Sequence, residues 1–131
     1  MILIVGGAGY IGSHVNKLLG QKGYKTVVFD NLACGHGEFV KWGEFVHGDL
    51  NNKDQVRHCF EKYSIDAVMH FSAFAYVGES VQDPIKYYFN NVSNTINLLD
   101  IMREFSVSYF IFSSSLNHSF NVTFEIFLKR F

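Results

Sequence analysis

Short apolar runs alternate along this chain with stretches that are apolar on one face only. Residues 2–5, 26–29, 45–47, 67–71 and 109–112 are short and rich in β-branched or aromatic side chains, a length and composition that predict strands buried on both faces. Between them, Ile11, Val15, Leu18 and Leu19 fall at i, i+4, i+7 and i+8, and Val56, Cys59, Phe60 and Tyr63 form a second stripe at helical spacing. The longest helix is predicted to open with Asp83 as N-cap and Pro84 at its first position. Its apolar stripe runs through Ile85, Tyr88, Phe89, Val92, Ile96, Leu99 and Met102. Strand then helix, repeated four times and followed by a fifth strand, predicts an α/β fold with a doubly wound parallel sheet, because crossovers of this length are right-handed and lay helices on both faces. No internal repeat, low-complexity stretch or interdomain linker interrupts the pattern.

Composition narrows the partners. A chain of 131 residues suits one domain, and its 11 basic against 12 acidic side chains, without a like-charge block, offer no footprint for nucleic acid or an anionic membrane. Cys34 and Cys59 have no C-x-x-C spacing, which fits reduced structural thiols better than a disulfide framework. No run reaches the roughly 18 apolar residues of a membrane span and no signal peptide is evident, so the cytoplasm is the expected address. The N-x-[ST] triplets at Asn91, Asn117 and Asn121 read as chance, and no metal site is expected.

The stretch ILIVGGAGYIGSH carries the first chemistry. Gly6, Gly9 and Gly12 form G-x-x-G-x-x-G between the first strand and the first helix, where a turn must be tight, a ligand must approach backbone and helix must pack closely on strand. The first turn of that helix, including the amides of Tyr10 and Ile11, presents free N–H groups and the positive end of a dipole to a pyrophosphate. Asp30 ends the second strand, where its carboxylate can accept both hydroxyls of an adenosine ribose. Neither Asn31 nor Leu32 supplies the Arg that a 2′-phosphate needs, so NAD is expected over NADP. Asp49 ends the third strand on the same sheet edge and is a candidate acceptor for the adenine amino group.

The segments GGAGYIGSH, FDNLACGHGE, GDL, VMHFSAFAYVGESVQDPIKYYFNNVSNTINLLDIM and FIFSSS resemble the N-terminal part of the UDP-glucose 4-epimerase family, which belongs to the extended short-chain dehydrogenases/reductases. The resemblance covers residues 1–115, and VGES followed by P-x-x-YY-x-NNV is its most specific part. It implies a Rossmann-like NAD-binding domain over 1–115 with a divergent tail over 116–131. It also implies an isomerase that removes a hydride from C4 of a UDP-hexose and returns it to the other face. Carried over residue by residue, the resemblance puts Gly6, Gly9, Tyr10, Ile11 and Gly12 at the pyrophosphate and Asp30 and Asn31 at the adenosine ribose. Asp49 and Leu50 would flank adenine. Phe71, Ser72 and Ala73 would line the pyrophosphate and nicotinamide side, and Asn90 would reach in from the long helix. Ser115 matches the hydroxyl that hydrogen-bonds the sugar's reacting oxygen, and a homodimer would form through residues 83–104.

Departures set limits on that transfer. Ala33 and Cys34 stand where the family commonly has small hydroxyl residues, and Ala75 where some members carry Lys. From Leu116 the chain reads LNHSFNVTFEIFLKRF instead of the family's continuation. The family's Tyr-x-x-x-Lys pair is not among these residues, so the chain is expected to be truncated and inactive alone. The alternation of Phe120, Val122, Phe124, Ile126 and Leu128 with Asn121, Thr123, Glu125 and Phe127 reads as a strand able to cover the fifth strand's edge, or as an apolar end without a selected role. A free-standing NAD-binding module and another extended reductase or sugar-nucleotide dehydratase stay open as alternatives.

Overall fold

The computed structural model describes residues 1–114 and 123–125. Five strands, β1 (Ile2–Val5), β2 (Thr26–Asp30), β3 (Glu44–His47), β4 (Ala67–His70) and β5 (Tyr109–Ser114), pair in parallel in the order β3-β2-β1-β4-β5. This is the doubly wound, Rossmann-like sheet that the sequence predicts. Helix α1 (Tyr10–Gln21) links β1 to β2, and α2 (Lys53–Lys62) links β3 to β4. The return from β4 to β5 carries α3 (Val77–Gln82), α4 (Pro84–Tyr88), a π turn over Phe89–Ser93, and α5 (Asn94–Glu104). Among the described residues, no helix is long and apolar enough to cross a membrane.

The expected helix between β2 and β3 is absent. That connection holds one 3₁₀ turn, Gly37–Phe39, and its glycines at 35, 37 and 43 explain why nothing longer forms, since each costs a helix about 1 kcal/mol relative to Ala. Edge strand β3 also departs from the two-face burial expected of it: Glu44, Phe45 and His47 are exposed. By contrast, β1 from Leu3 onward and the whole of β2 are buried, and Leu3, Val5, Val27, Phe29 and Val68 pack against Val56, Cys59, Phe60, Leu98, Ile101 and Met102 of α2 and α5. Each such side chain removed from water contributes about 1.5–3 kcal/mol. Asn52 caps α2 by accepting from the amides of Asp54 and Gln55, both at 3.2 Å. Arg57 and Lys53 then tie that helix to Glu104 and Asp100 of α5 at the surface.

Two helical faces differ from the expected stripes. Helix α1 meets the sheet through Gly12, Ser13 and Asn16, while Ile11 and Leu18 are exposed. Close approach admits only small side chains there. The wholly buried Asn16 is satisfied because its Nδ2 donates to Trp42 O (2.9 Å) and its Oδ1 accepts from Thr26 Oγ1 (2.8 Å). Along residues 84–104 the inward face is Tyr87, Asn94, Leu98, Ile101 and Met102. The stripe through Ile85, Tyr88, Phe89, Val92 and Ile96 faces outward, with Ile85 77% exposed. This segment is apolar on two faces, and periodicity alone does not say which one meets the core.

A short strand, β6 (Thr123–Glu125), pairs antiparallel with β5 in the register Phe112↔Glu125, Ser113↔Phe124, Ser114↔Thr123. The tail's strand pattern is thus realised over these three residues, on the edge of β5. Ser115, His118 and the rest of the tail lie outside the described residues.

Candidate functional site

The carboxyl ends of β1, β2 and β4 surround a cleft at the point where the strand order reverses, the place where open α/β sheets bind ligands. Gly6, Gly9, Asp30, Asn31, Phe71, Ser72, Ala73 and Asn90 line it, so eight of the expected residues converge from four separate segments. Ala33, Cys34, Gly35 and Phe74 line it as well, and sequence reasoning assigned them no contact. Cys34, expected to be merely structural, is an exposed thiol at this cleft. Cys59 is buried, and burial pushes its thiol up to about 12. Tyr10 and Ile11 stand exposed at the start of α1, and Gly12 is buried beneath them.

Glycine is demanded at Gly6 and Gly12 by the protein itself. Gly6 has φ +75°, and a Cβ there would come within 2.7 Å of Ser72 N. A Cβ on Gly12 would stand 2.3 Å from Gly6 O. At Gly9 the nearest atom to a Cβ is Gly6 O at 3.3 Å, so this position is bare for a different reason: it keeps the cleft floor at backbone level. The first turn of α1 leaves the amides of Tyr10, Ile11 and Gly12 without an intrahelical acceptor. A backbone cradle beneath a positive helix end fits a dinucleotide pyrophosphate.

Asp30 is held firmly. Its Oδ2 accepts from Ala8 N (2.9 Å) and its Oδ1 from Leu32 N (2.8 Å), which orients the carboxylate while its remaining lone pairs stay open to hydroxyl donors. Leu32 adopts φ 60° to make that turn, a conformation uncommon for a branched side chain. Asn31 and Asp49 are joined. Asn31 Nδ2 donates to Asp49 Oδ2 (2.8 Å), and Asp49 Oδ1 accepts from Asn51 N (2.8 Å), so the two residues form one polar unit. Asp49 and the buried Leu50 border a narrow cavity beside the main cleft, with Asn90 and Asn94 across from them. Asn94, which the sequence reading passed over, has a buried Oδ1 with no partner among the described residues.

Beneath Ser72, the His70 ring is buried between Phe110 and Phe112, with centroids at 6.1 and 5.5 Å. Burial pushes its pKa from 6.5 down to about 4. Between those two values the unfolded chain binds the proton that the folded protein refuses. Stability is therefore complete above pH 6.5 and falls as pH drops toward 4, by up to about 3 kcal/mol. Urea unfolding at pH 7 and pH 4.5 measures this loss, and His70→Phe is expected to remove the histidine's share, leaving the smaller share of the ion-paired Glu79 and Asp100 carboxylates.

Comparison with known proteins supplies the remaining context. The NAD dependent epimerase/dehydratase family matches residues 2–120. The UDP-glucose 4-epimerase of Rhizobium leguminosarum bv. trifolii is 46% identical over 114 residues, 87% of this chain and 35% of its own length. UDP-glucose 4-epimerase uge1 of Schizosaccharomyces pombe is 43% identical over 122 residues, 87% of this chain and 34% of its own. The crystal structure of UDP-glucose 4-epimerase from Brucella ovis in complex with NAD aligns with a TM-score of 0.84 at 54% identity, over 86% of this chain and 35% of that one. The chain spans about a third of the length of these relatives. With the switch-point cleft, the glycine cradle and a match over nearly its whole length, the chain belongs to the NAD dependent epimerase/dehydratase family.

Proposed function

We propose that this chain is the NAD-binding portion of a UDP-glucose 4-epimerase, with residues 1–115 as the dinucleotide domain and 116–131 as a tail. Gly6 and Gly9 give backbone access to the pyrophosphate, the amides of Tyr10 and Ile11 donate to it, and Gly12 lets α1 pack close enough to present them. Asp30 and Asn31 accept from the adenosine ribose, while Asp49 and Leu50 bound the adenine. Phe71, Ser72 and Ala73, with Asn90, form the wall on the nicotinamide side. NAD, when bound, supplies the acceptor and donor of the hydride exchanged at C4 of a UDP-hexose. Ser115 orients the sugar's reacting oxygen in this reading. The free thiols of Cys34 and Cys59 support a cytoplasmic setting.

The observation that carries the cofactor reading is Asp30, fixed by two backbone amides at the end of β2. A 2′-phosphate would meet that carboxylate head on. Titration of both dinucleotides is expected to give NAD at least about tenfold the affinity of NADP. Asp30→Ala narrows the gap mainly by weakening NAD. NADP binding as tight as NAD in the unmutated chain would remove the basis of the assignment.

A homodimer through residues 83–104 completes the reading. The outward stripe through Ile85, Tyr88, Phe89, Val92 and Ile96 is an apolar surface of the kind that seeks a partner. Sedimentation of the purified chain is expected to show self-association that the double substitution Ile85→Lys, Val92→Lys abolishes. A cooperatively melting monomer at high concentration would count against this surface.

A further inference from the structure

The geometry points to Asn91, Thr95 and His70 as a positioning relay that fixes the wall of the cleft, acting on dinucleotide binding through residues 72–74 and Asn90. This inference rests on the NAD-binding reading above and names residues that touch no part of the ligand.

The relay begins in the π turn over Phe89–Ser93, an irregularity that α-helices tolerate mostly at functional sites. Thr95 Oγ1 donates to Asn91 O at 2.8 Å. A hydroxyl has a single proton, so at its 2.9 Å contact with His70 Nε2 the same oxygen accepts. Nε2 therefore carries the ring proton and Nδ1 is bare. That bare nitrogen faces the amide of Ser72, 3.4 Å away, and receives it. Burial lowers the ring's basicity and keeps it neutral at neutral pH, and the contacts to Thr95 and Ser72 select the tautomer.

Asn91 grips the other end of the same loop. Its Oδ1 accepts from Phe74 N (2.8 Å) and its Nδ2 donates to Phe74 O (2.9 Å), so one side-chain amide satisfies both polar groups of a residue that no strand pairs with. Asn90 Nδ2 also donates to Asn91 Oδ1 (2.9 Å), which orients the neighbouring side chain at the cleft. Residues 72–74 are thus held at Ser72 by His70 and at Phe74 by Asn91, and both holding groups connect to one π turn. Phe71 is held by its own amide's bond to Val5 O (2.8 Å), whereas the cleft-lining Ser72, Phe74 and Asn90 are each tied to the relay. A ligand wall held this way is set before binding, which lowers the ordering cost of association.

Two conservative variants separate positioning from mere support. Thr95→Val keeps the shape and loses the hydroxyl, whereas Thr95→Ser keeps the hydroxyl. Under conditions where each variant is folded by circular dichroism, Thr95→Val is expected to weaken NAD about tenfold and leave AMP, which lacks both the pyrophosphate bridge and the nicotinamide ribose, within about twofold. Thr95→Ser restores NAD to near the unmutated value. In the ligand-free protein, amide hydrogen exchange of residues 71–74 rises about tenfold in Thr95→Val and not in Thr95→Ser. Equal weakening of NAD and AMP, or unchanged exchange at residues 71–74, would overturn the relay. An unmutated chain that binds neither nucleotide overturns the NAD reading instead, and the exchange measurement still decides the relay.

Discussion

Gly12→Ala is expected to abolish measurable NAD binding and to lower the unfolding free energy by about 3 kcal/mol or more. The added Cβ would lie 2.3 Å from Gly6 O, 2.7 Å from Gly7 Cα and 3.0 Å from Gly6 C, all of them backbone atoms. No flexible side-chain end is there to yield. Relief requires α1 to move off the β1 turn, which carries the Tyr10 and Ile11 amides away from the cleft and disturbs the buried hydrogen bonds of Asn16 to Trp42 and Thr26. Gly9→Ala is the informative contrast. Its Cβ needs only a small shift of Gly6 O, so its melting temperature is expected to stay near that of the unmutated chain while NAD affinity falls. Thermal melts and NAD titrations of the two variants side by side check the distinction. Comparable stability losses at both positions would show that the glycines serve packing alone.

The 131 residues alone are expected to show no interconversion of UDP-galactose and UDP-glucose, even when saturated with NAD. Hydride removal at C4 requires a base to take the hydroxyl proton, within about 2.6–3.2 Å of it. In the family that base is the Tyr of Tyr-x-x-x-Lys, and none of the seven tyrosines here has a Lys four positions on. His70 does not substitute: it is 2% exposed, and both ring nitrogens are engaged, with Thr95 and with Ser72. Loss of general acid–base catalysis by itself removes about 10²–10⁴ in rate. The assay is product formation by the purified chain, with Ser115→Ala as control. Turnover that disappears in the control would overturn the expectation and reveal a base that these residues assemble.

The strands were legible because the apolar runs are short, rich in β-branched residues and bounded by glycine or aspartate. The glycine motif and Asp30 mark the cleft in the sequence, because both lie at the carboxyl ends of adjacent strands. The buried face of α1 was not legible, since Gly12, Ser13 and Asn16 carry no apolar signal and the contact is close because the side chains are small. The outward stripe on residues 84–104 misled for the opposite reason, a helix apolar on two sides. The π turn leaves no mark in periodicity, and the Asn91–Phe74 contact made from it joins residues 17 positions apart. Asp49 was visible as a carboxylate on the correct sheet edge, but its partnership with Asn31 depends on the side-by-side pairing of β2 and β3.

Strand β1 lies in the middle of the sheet, between β2 and β4. During synthesis its first neighbour, Thr26–Asp30, emerges early, while the second, Ala67–His70, follows only after the whole of β3 and α2. At about 5–20 residues per second the nascent sheet therefore exposes an open central edge for some seconds. Pairing of that edge with another nascent chain is open only in that interval, since β2 and β4 cover both sides of β1 in the folded sheet. The cofactor offers no rescue in the meantime, because the wall at residues 71–73 and the side chain of Asn90 must be made before the cleft exists. NAD can stabilise this fold only after its centre has closed unaided.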